Sequence, residues 1–114
     1  MAIQTATQKN TLASAYGTAA AYGAVYTTAP GGSAGTEPTG GSPAYARKAL
    51  TWGAPSSGVV TATGVFDIPT GATIVGTGVH TAITAGTYLD GNSVTSQAFA
   101  SQGTYTVTFT YTQV

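Results

Sequence analysis

Cysteine is absent from the 114 residues, and charge nearly so. Without cysteine the chain can build neither a disulfide scaffold nor a thiolate metal site. Six residues carry a fixed charge, Lys9, Arg47, Lys48, Glu37, Asp67 and Asp90, and they cancel to zero. Charged residues make up 5% of the chain, against roughly 25% in an ordinary globular domain. Three scattered cations cannot track a phosphate backbone, which excludes nucleic acid as a partner. No apolar run approaches the roughly 18 residues of a membrane span, so no membrane partner is expected. Residues 1–9 lack the charged start and long apolar core of a cleaved secretory signal, so synthesis in a cytoplasm is expected. Leucine occurs only at Leu12, Leu50 and Leu89. Helical bundles draw heavily on leucine and on charged pairs, and both are scarce here. Disorder is excluded from the other side, because 42% of the residues are hydrophobic and 10% aromatic.

What the chain does have is threonine (23 residues), alanine (20) and glycine (16). Threonine, valine, tyrosine and phenylalanine suit a pleated, half-buried surface, so the composition is that of an all-β protein. The one helix candidate lies within Thr5–Ala21, with Thr5 or Thr7 as its cap and Gly17 as its stop; an extended arm is the alternative. Tyr22–Thr28 reads as a strand, and the Gly, Ser, Thr and Pro of Gly31–Pro43 as a long surface loop. Tyr45–Trp52 alternates so that Ala46, Leu50 and Trp52 point inward. Val59–Ile68 sets Val60, Ala62, Phe66 and Ile68 on one face, provided that Gly64 makes no bulge. Ala72–Ile83 is extended with an undecided inner face, and Asp90-Gly91-Asn92 reads as a hairpin turn. Thr104–Thr112 alternates strictly, with Tyr105, Val107, Phe109 and Tyr111 on one face and threonines on the other. A slip of one residue would exchange those faces, so the register is firmly specified.

Six or seven strands between Gly, Pro and Asp turns imply a single antiparallel β-sandwich, jelly-roll or immunoglobulin-like, over residues 21–114, behind an N-terminal helix or arm at 1–20. No cysteine pair flanks Trp52, which excludes the antibody-type core. The expected core is Leu50, Trp52, Phe66, Tyr105, Val107, Phe109 and Tyr111.

The sequence offers little for catalysis. Glu37, Asp67 and Asp90 sit in or beside predicted turns, where solvated turn formers explain them better than a glycosidase pair does. One histidine, His80, cannot build a zinc site, and no GxSxG elbow accompanies it. The expectation is no enzyme, no cofactor and no metal. A sugar-binding adhesin needs an aromatic beside polar groups; Tyr88 near Asp90 and Asn92 has that composition, and a hairpin turn explains the same residues. The segments near 59–66 and 104–112 carry almost none of the Lys, Pro or bulges that guard free sheet edges, so loops or partners must cover them. Arg47 is placed to pair with Glu37 and pin the long loop to the sheet; in the other reading, Arg47 and Lys48 meet an acidic patch on a neighbouring subunit. Lys9, Glu37, Tyr45, Arg47 and Lys48 are the candidate partner contacts.

Several of these elements occur in a recognisable order: Tyr26-Thr27, Glu37, Gly40-Gly41, Tyr45-Ala46-Arg47, Trp52, Phe66 with Ile68-Pro69, and Gly78-Val79-His80. The order resembles the small bacteriophage virion structural proteins known as phage tail fibre or capsid fibre proteins. Asp67 and Ile68 separate Phe66 from Pro69, and Ser42-Pro43-Ala44 separates the glycines from Tyr45, both departures from the family pattern. The resemblance implies a virion structural protein. The expectation built on it is a capsid decoration protein, a homotrimer bound to the major capsid protein on the capsid surface, with the N-terminal segment and the 31–43 loop as contacts. A tail or fibre component that attaches to a host surface is the alternative.

Overall fold

The computed structural model describes residues 2–114. It contains one helix, α1 (Ala6–Ala19), and six strands: β1 (Tyr22–Tyr26), β2 (Lys48–Ala49), β3 (Val59–Ile68), β4 (Thr73–His80), β5 (Tyr88–Ala98) and β6 (Gly103–Thr112). The protein is mostly β, with 43% of residues in strands and every strand pair antiparallel. One sheet has the order β2-β1-β4-β5; the other consists of β3 and β6.

Thr5 starts α1, its hydroxyl accepting the Gln8 N–H at 3.3 Å. Gly17 does not stop the helix as its glycine suggested. It lies inside α1 because Trp52 packs there; a Cβ at this position would meet Trp52 Cγ at 3.0 Å. The helix ends instead at Ala20, whose N–H donates to the Tyr16 carbonyl and whose own carbonyl accepts the Trp52 indole N–H at 2.8 Å.

β3 and β6 behave as their alternation dictates. Ten residue pairs run without interruption from Val59↔Thr112 to Ile68↔Gly103, so Gly64 makes no bulge. Val60, Ala62, Phe66 and Ile68 are buried; on β6, Phe109 is buried and Tyr105, Val107 and Tyr111 are half-buried. The threonines of both strands face solvent. Gly23 of β1 lies under Phe109 and Phe66, which brings the two sheets together over a core of Val25, Phe66, Ile68, Ile74, Val79 and Phe109. Leu50, Trp52, Tyr105 and Val107 pack around that core half-buried, while Val25 and Ile74 are fully buried within it.

Three expectations change. Within Tyr45–Trp52 only Lys48–Ala49 pairs as a strand, and Ala46 is exposed while Tyr45 and Arg47 turn inward, because both bond to Glu37. Asp90-Gly91-Asn92 is no turn: it lies within β5, with Gly91 opposite Gly78. The reversal falls at 81–87, where Ala85 and Gly86 take left-handed φ values of 53° and 69°, and this leaves Ile83 outside the strand and exposed. The undecided inner face of β4 is resolved by burial on both sides, from Gly76 to His80. One side meets the smaller sheet. The other lies under Tyr26 and Pro30, whose atoms occupy the space that Cβ atoms at Gly76, Gly78 and Gly91 would fill. Glycine there makes room for a covering layer.

Candidate interaction surface

That covering layer is the segment between β1 and β2, and its fastening joins three of the five candidate contact residues. The Glu37 carboxylate accepts Arg47 Nε at 3.0 Å and Nη2 at 2.9 Å, and also accepts the Tyr45 hydroxyl at 2.8 Å. Tyr45 Oη in turn accepts the Val25 N–H of β1 at 3.2 Å. Arg47 Nη1 donates to the carbonyls of Ala82 and Ala85, both at 2.9 Å. The Arg47 and Glu37 side chains are 12% and 25% exposed, so the pair is largely withdrawn from water. A loop rich in glycine is thus bolted to the β4–β5 reversal through the planar, five-donor guanidinium of Arg47, and to β1 through the Tyr45 hydroxyl.

The electrostatics follow the geometry. Burial pushes the Glu37 carboxyl up, but hydrogen bonds from Arg47 and Tyr45 outweigh it and leave the group below its ordinary value. Hydrogen bonding to Glu37 raises Arg47. Burial raises the Tyr45 and Tyr26 phenols. Beneath the fastening, Tyr26 Oη and His80 Nε2 share a buried hydrogen bond of 2.6 Å. Burial, then the nearby Arg47 charge, lowers His80, which favours the neutral imidazole. Tyr88 packs beside this pair, its ring 5.6 Å from that of His80 and its hydroxyl bonded to the Gly31 carbonyl at 2.8 Å. This takes Tyr88 away from Asp90 and Asn92, which project from the opposite face of β5.

The other two candidates stand apart. Lys48 pairs with Asp67 at 3.4 Å across the two sheets, and Lys9 lies on α1 beside Gly58. The five residues therefore form no single patch. A further surface is made of backbone, and two of its strands, β3 and β6, contain the segments near 59–66 and 104–112 that the sequence marks as unguarded. β3, β5 and β6 each pair on one side only, so each presents a free edge of ten residues or more. Their threonine-rich, nearly uncharged sequences were the available signal. Among the described residues, no group of three His, Cys, Asp or Glu gathers as for a metal, and no helix is long and apolar enough to cross a membrane. No family model matches the chain, and neither a curated protein nor a solved structure matches it.

Proposed function

We propose that the chain is a bacteriophage virion structural protein, a decoration protein seated on the outside of the major capsid lattice, and that it acts by binding without turnover. The observation that carries the reading is the set of long free strand edges, β3, β5 and β6, which hold two charges between them, Asp67 and Asp90. A solitary domain usually guards such edges with Lys, Pro or bulges; β3 and β6 carry none of these, whereas β5 is irregular at two places, opposite Ile74–Gly76 and Val79–His80. An element built to be fitted against neighbours leaves its N–H and C=O groups open to them. Four of the six charges are tied up in two internal pairs, Arg47–Glu37 and Lys48–Asp67, so the outer surface is close to neutral. Contacts of that kind are little weakened by salt. The residue pattern that resembles the capsid and tail fibre proteins supplies the virion context, and the loop fastened by Glu37, Tyr45 and Arg47 is a rigid part of the same body.

We read the architecture as an antiparallel sandwich of four strands against two, with its smaller sheet short of strands. Such a sheet is completed most simply by neighbours, whether other copies in a homotrimer or the capsid subunits beneath. The test is copy number in purified particles, by quantitative mass spectrometry. Hundreds of copies support decoration, a handful place the protein in the tail or fibre, and absence from particles overturns both.

A further inference from the structure

β5 and β6 leave a cleft between them. Among the described residues no strand pairs with the outer edge of β6, and the cleft opens between that edge and residues of β4 and β5. The cleft has a volume of about 310 Å³, near the lower end of the range of roughly 300–1,000 Å³ that small ligands occupy. Its floor is Thr77 and Val79 of β4 with Asn92 and Asp90 of β5. Cross-strand pairing sets Asn92 opposite Thr77 and Asp90 opposite Val79, so these side chains share one face. Its wall is the unpaired edge of β6 from Thr108 to Thr112, where backbone donors and acceptors alternate. Aromatic rings gather at one end. Tyr16 stacks on Tyr111 with centroids 3.9 Å apart, and Trp52 meets Tyr16 edge-on at 5.8 Å. The Asp90 carboxylate is close enough to contribute, after burial, to raising the Tyr16 phenol to about 12, so that hydroxyl remains a donor.

We propose that this cleft binds a neutral oligosaccharide. A sugar presents adjacent hydroxyls that both donate and accept, and it presents C–H faces that pack on aromatic rings. Asp90 accepts, Asn92 does both, the β6 edge offers both, and Tyr16, Trp52 and Tyr111 supply the rings. The cleft holds no cation and one carboxylate, so it disfavours acidic sugars by like-charge repulsion. Asp90 and Asn92 are exposed, and among the described residues the Asp90 carboxylate accepts one internal bond, from the adjacent Gly91 N–H. They are therefore free to engage a ligand. The proposal takes the β6 edge at 108–112 for the ligand and leaves the β3 and β5 edges to neighbouring subunits.

The test is a titration of the full chain, labelled with nitrogen-15, against maltotriose, cellotriose, triacetylchitotriose, mannotriose and the acidic 3′-sialyllactose. At least one neutral trisaccharide should give saturable shifts confined to the amides of 90–92 and 108–112 and to the Trp52 indole. The double variant Asp90→Ala/Asn92→Ala, whose amide spectrum should otherwise match the parent, should weaken that binding about tenfold or more, the scale of losing charged hydrogen bonds. The proposal is overturned if no neutral sugar saturates, if the shifts fall elsewhere, or if sialyllactose binds best. It is also overturned if a threonine- and valine-rich extended peptide, and none of the sugars, shifts the β6 amides, since the cleft is then a slot for an added strand.

Discussion

Arg47 and Glu37 meet in a forked pair, two guanidinium nitrogens on one carboxylate, with the third nitrogen of Arg47 holding the Ala82 and Ala85 carbonyls. One side chain therefore fixes the long loop, the start of β2 and the β4–β5 reversal together. Removing it leaves Glu37 shielded from water without its counter-ion. Arg47→Ala should cost about 3 kcal/mol of unfolding free energy, the lower end for a broken buried pair, because Glu37 retains some exposure. Arg47→Lys should recover only part of this, since a point charge cannot serve the carboxylate and two carbonyls in the same plane. Urea unfolding checks both. If the two variants match the parent, the pair is not the fastening.

Acid should weaken the fold in two steps. His80 titrates below its ordinary 6.5 in the folded chain, so the unfolded chain binds the extra proton first. The stability that comes from its neutral form is complete above about 6.5 and is lost as pH falls through the lowered value. Glu37, held below its ordinary 4.5, adds a second loss as pH falls below that point. Thermal midpoints followed from pH 8 to pH 3, in steps of about half a unit, should show both declines. In His80→Gln the first should vanish and the second remain; a first decline that persists in this variant assigns it to another group.

Much of this architecture was legible. β3 and β6 follow strict period-two alternation over ten residues, and nothing in the tertiary structure competes with it. The Glu37–Arg47 pair was legible too, since so few charges leave few partners. What sequence reading lost has a common cause in glycine. Gly17 and Gly91 look like a stop and a turn, yet each sits inside a regular element where an aromatic ring or a proline approaches the backbone, as Gly78 does under Tyr26. Local pattern cannot distinguish a glycine that bends the chain from one that makes room for Trp52, Tyr26 or Pro30. The same error displaced the hairpin to Asp90-Gly91-Asn92. The cleft was hidden for a different reason: its rings come from Tyr16 and Tyr111, residues 95 positions apart in the chain.

That reading of the glycines makes a direct test. At Gly78 an added methyl would collide with the Tyr26 ring, which is itself held by His80 and fully buried. Gly78→Ala should therefore destabilise by at least about 1–3 kcal/mol, the range for overpacking a tight core. At Gly31 nothing lies within 4 Å of the corresponding position and φ is not left-handed. Gly31→Ala should change stability by less than about 0.5 kcal/mol. Equal effects at the two positions would show that Tyr26 can yield.

The N-terminal helix shares the core instead of trailing from it. Ala13 and Ala20 have no exposed surface, Tyr16 stacks on Tyr111, and the Ala20 carbonyl receives the Trp52 indole. Deleting residues 1–20 should consequently abolish cooperative unfolding, because Trp52 loses its acceptor and one end of the β3–β6 sheet is stripped to water. Loss of particle attachment after such a deletion would then reflect unfolding and would not identify an anchor. Graded variants separate the contributions. Thr5→Ala removes only the cap and should cost about 1 kcal/mol. Tyr16→Ala removes a half-buried ring and should cost more, about 2–3 kcal/mol, somewhat under the value for a fully buried aromatic. Trp52 fluorescence in urea reads both directly, since that indole lies against the helix. A deletion variant that still unfolds cooperatively with the parent's midpoint would return the helix to the status of a detachable arm.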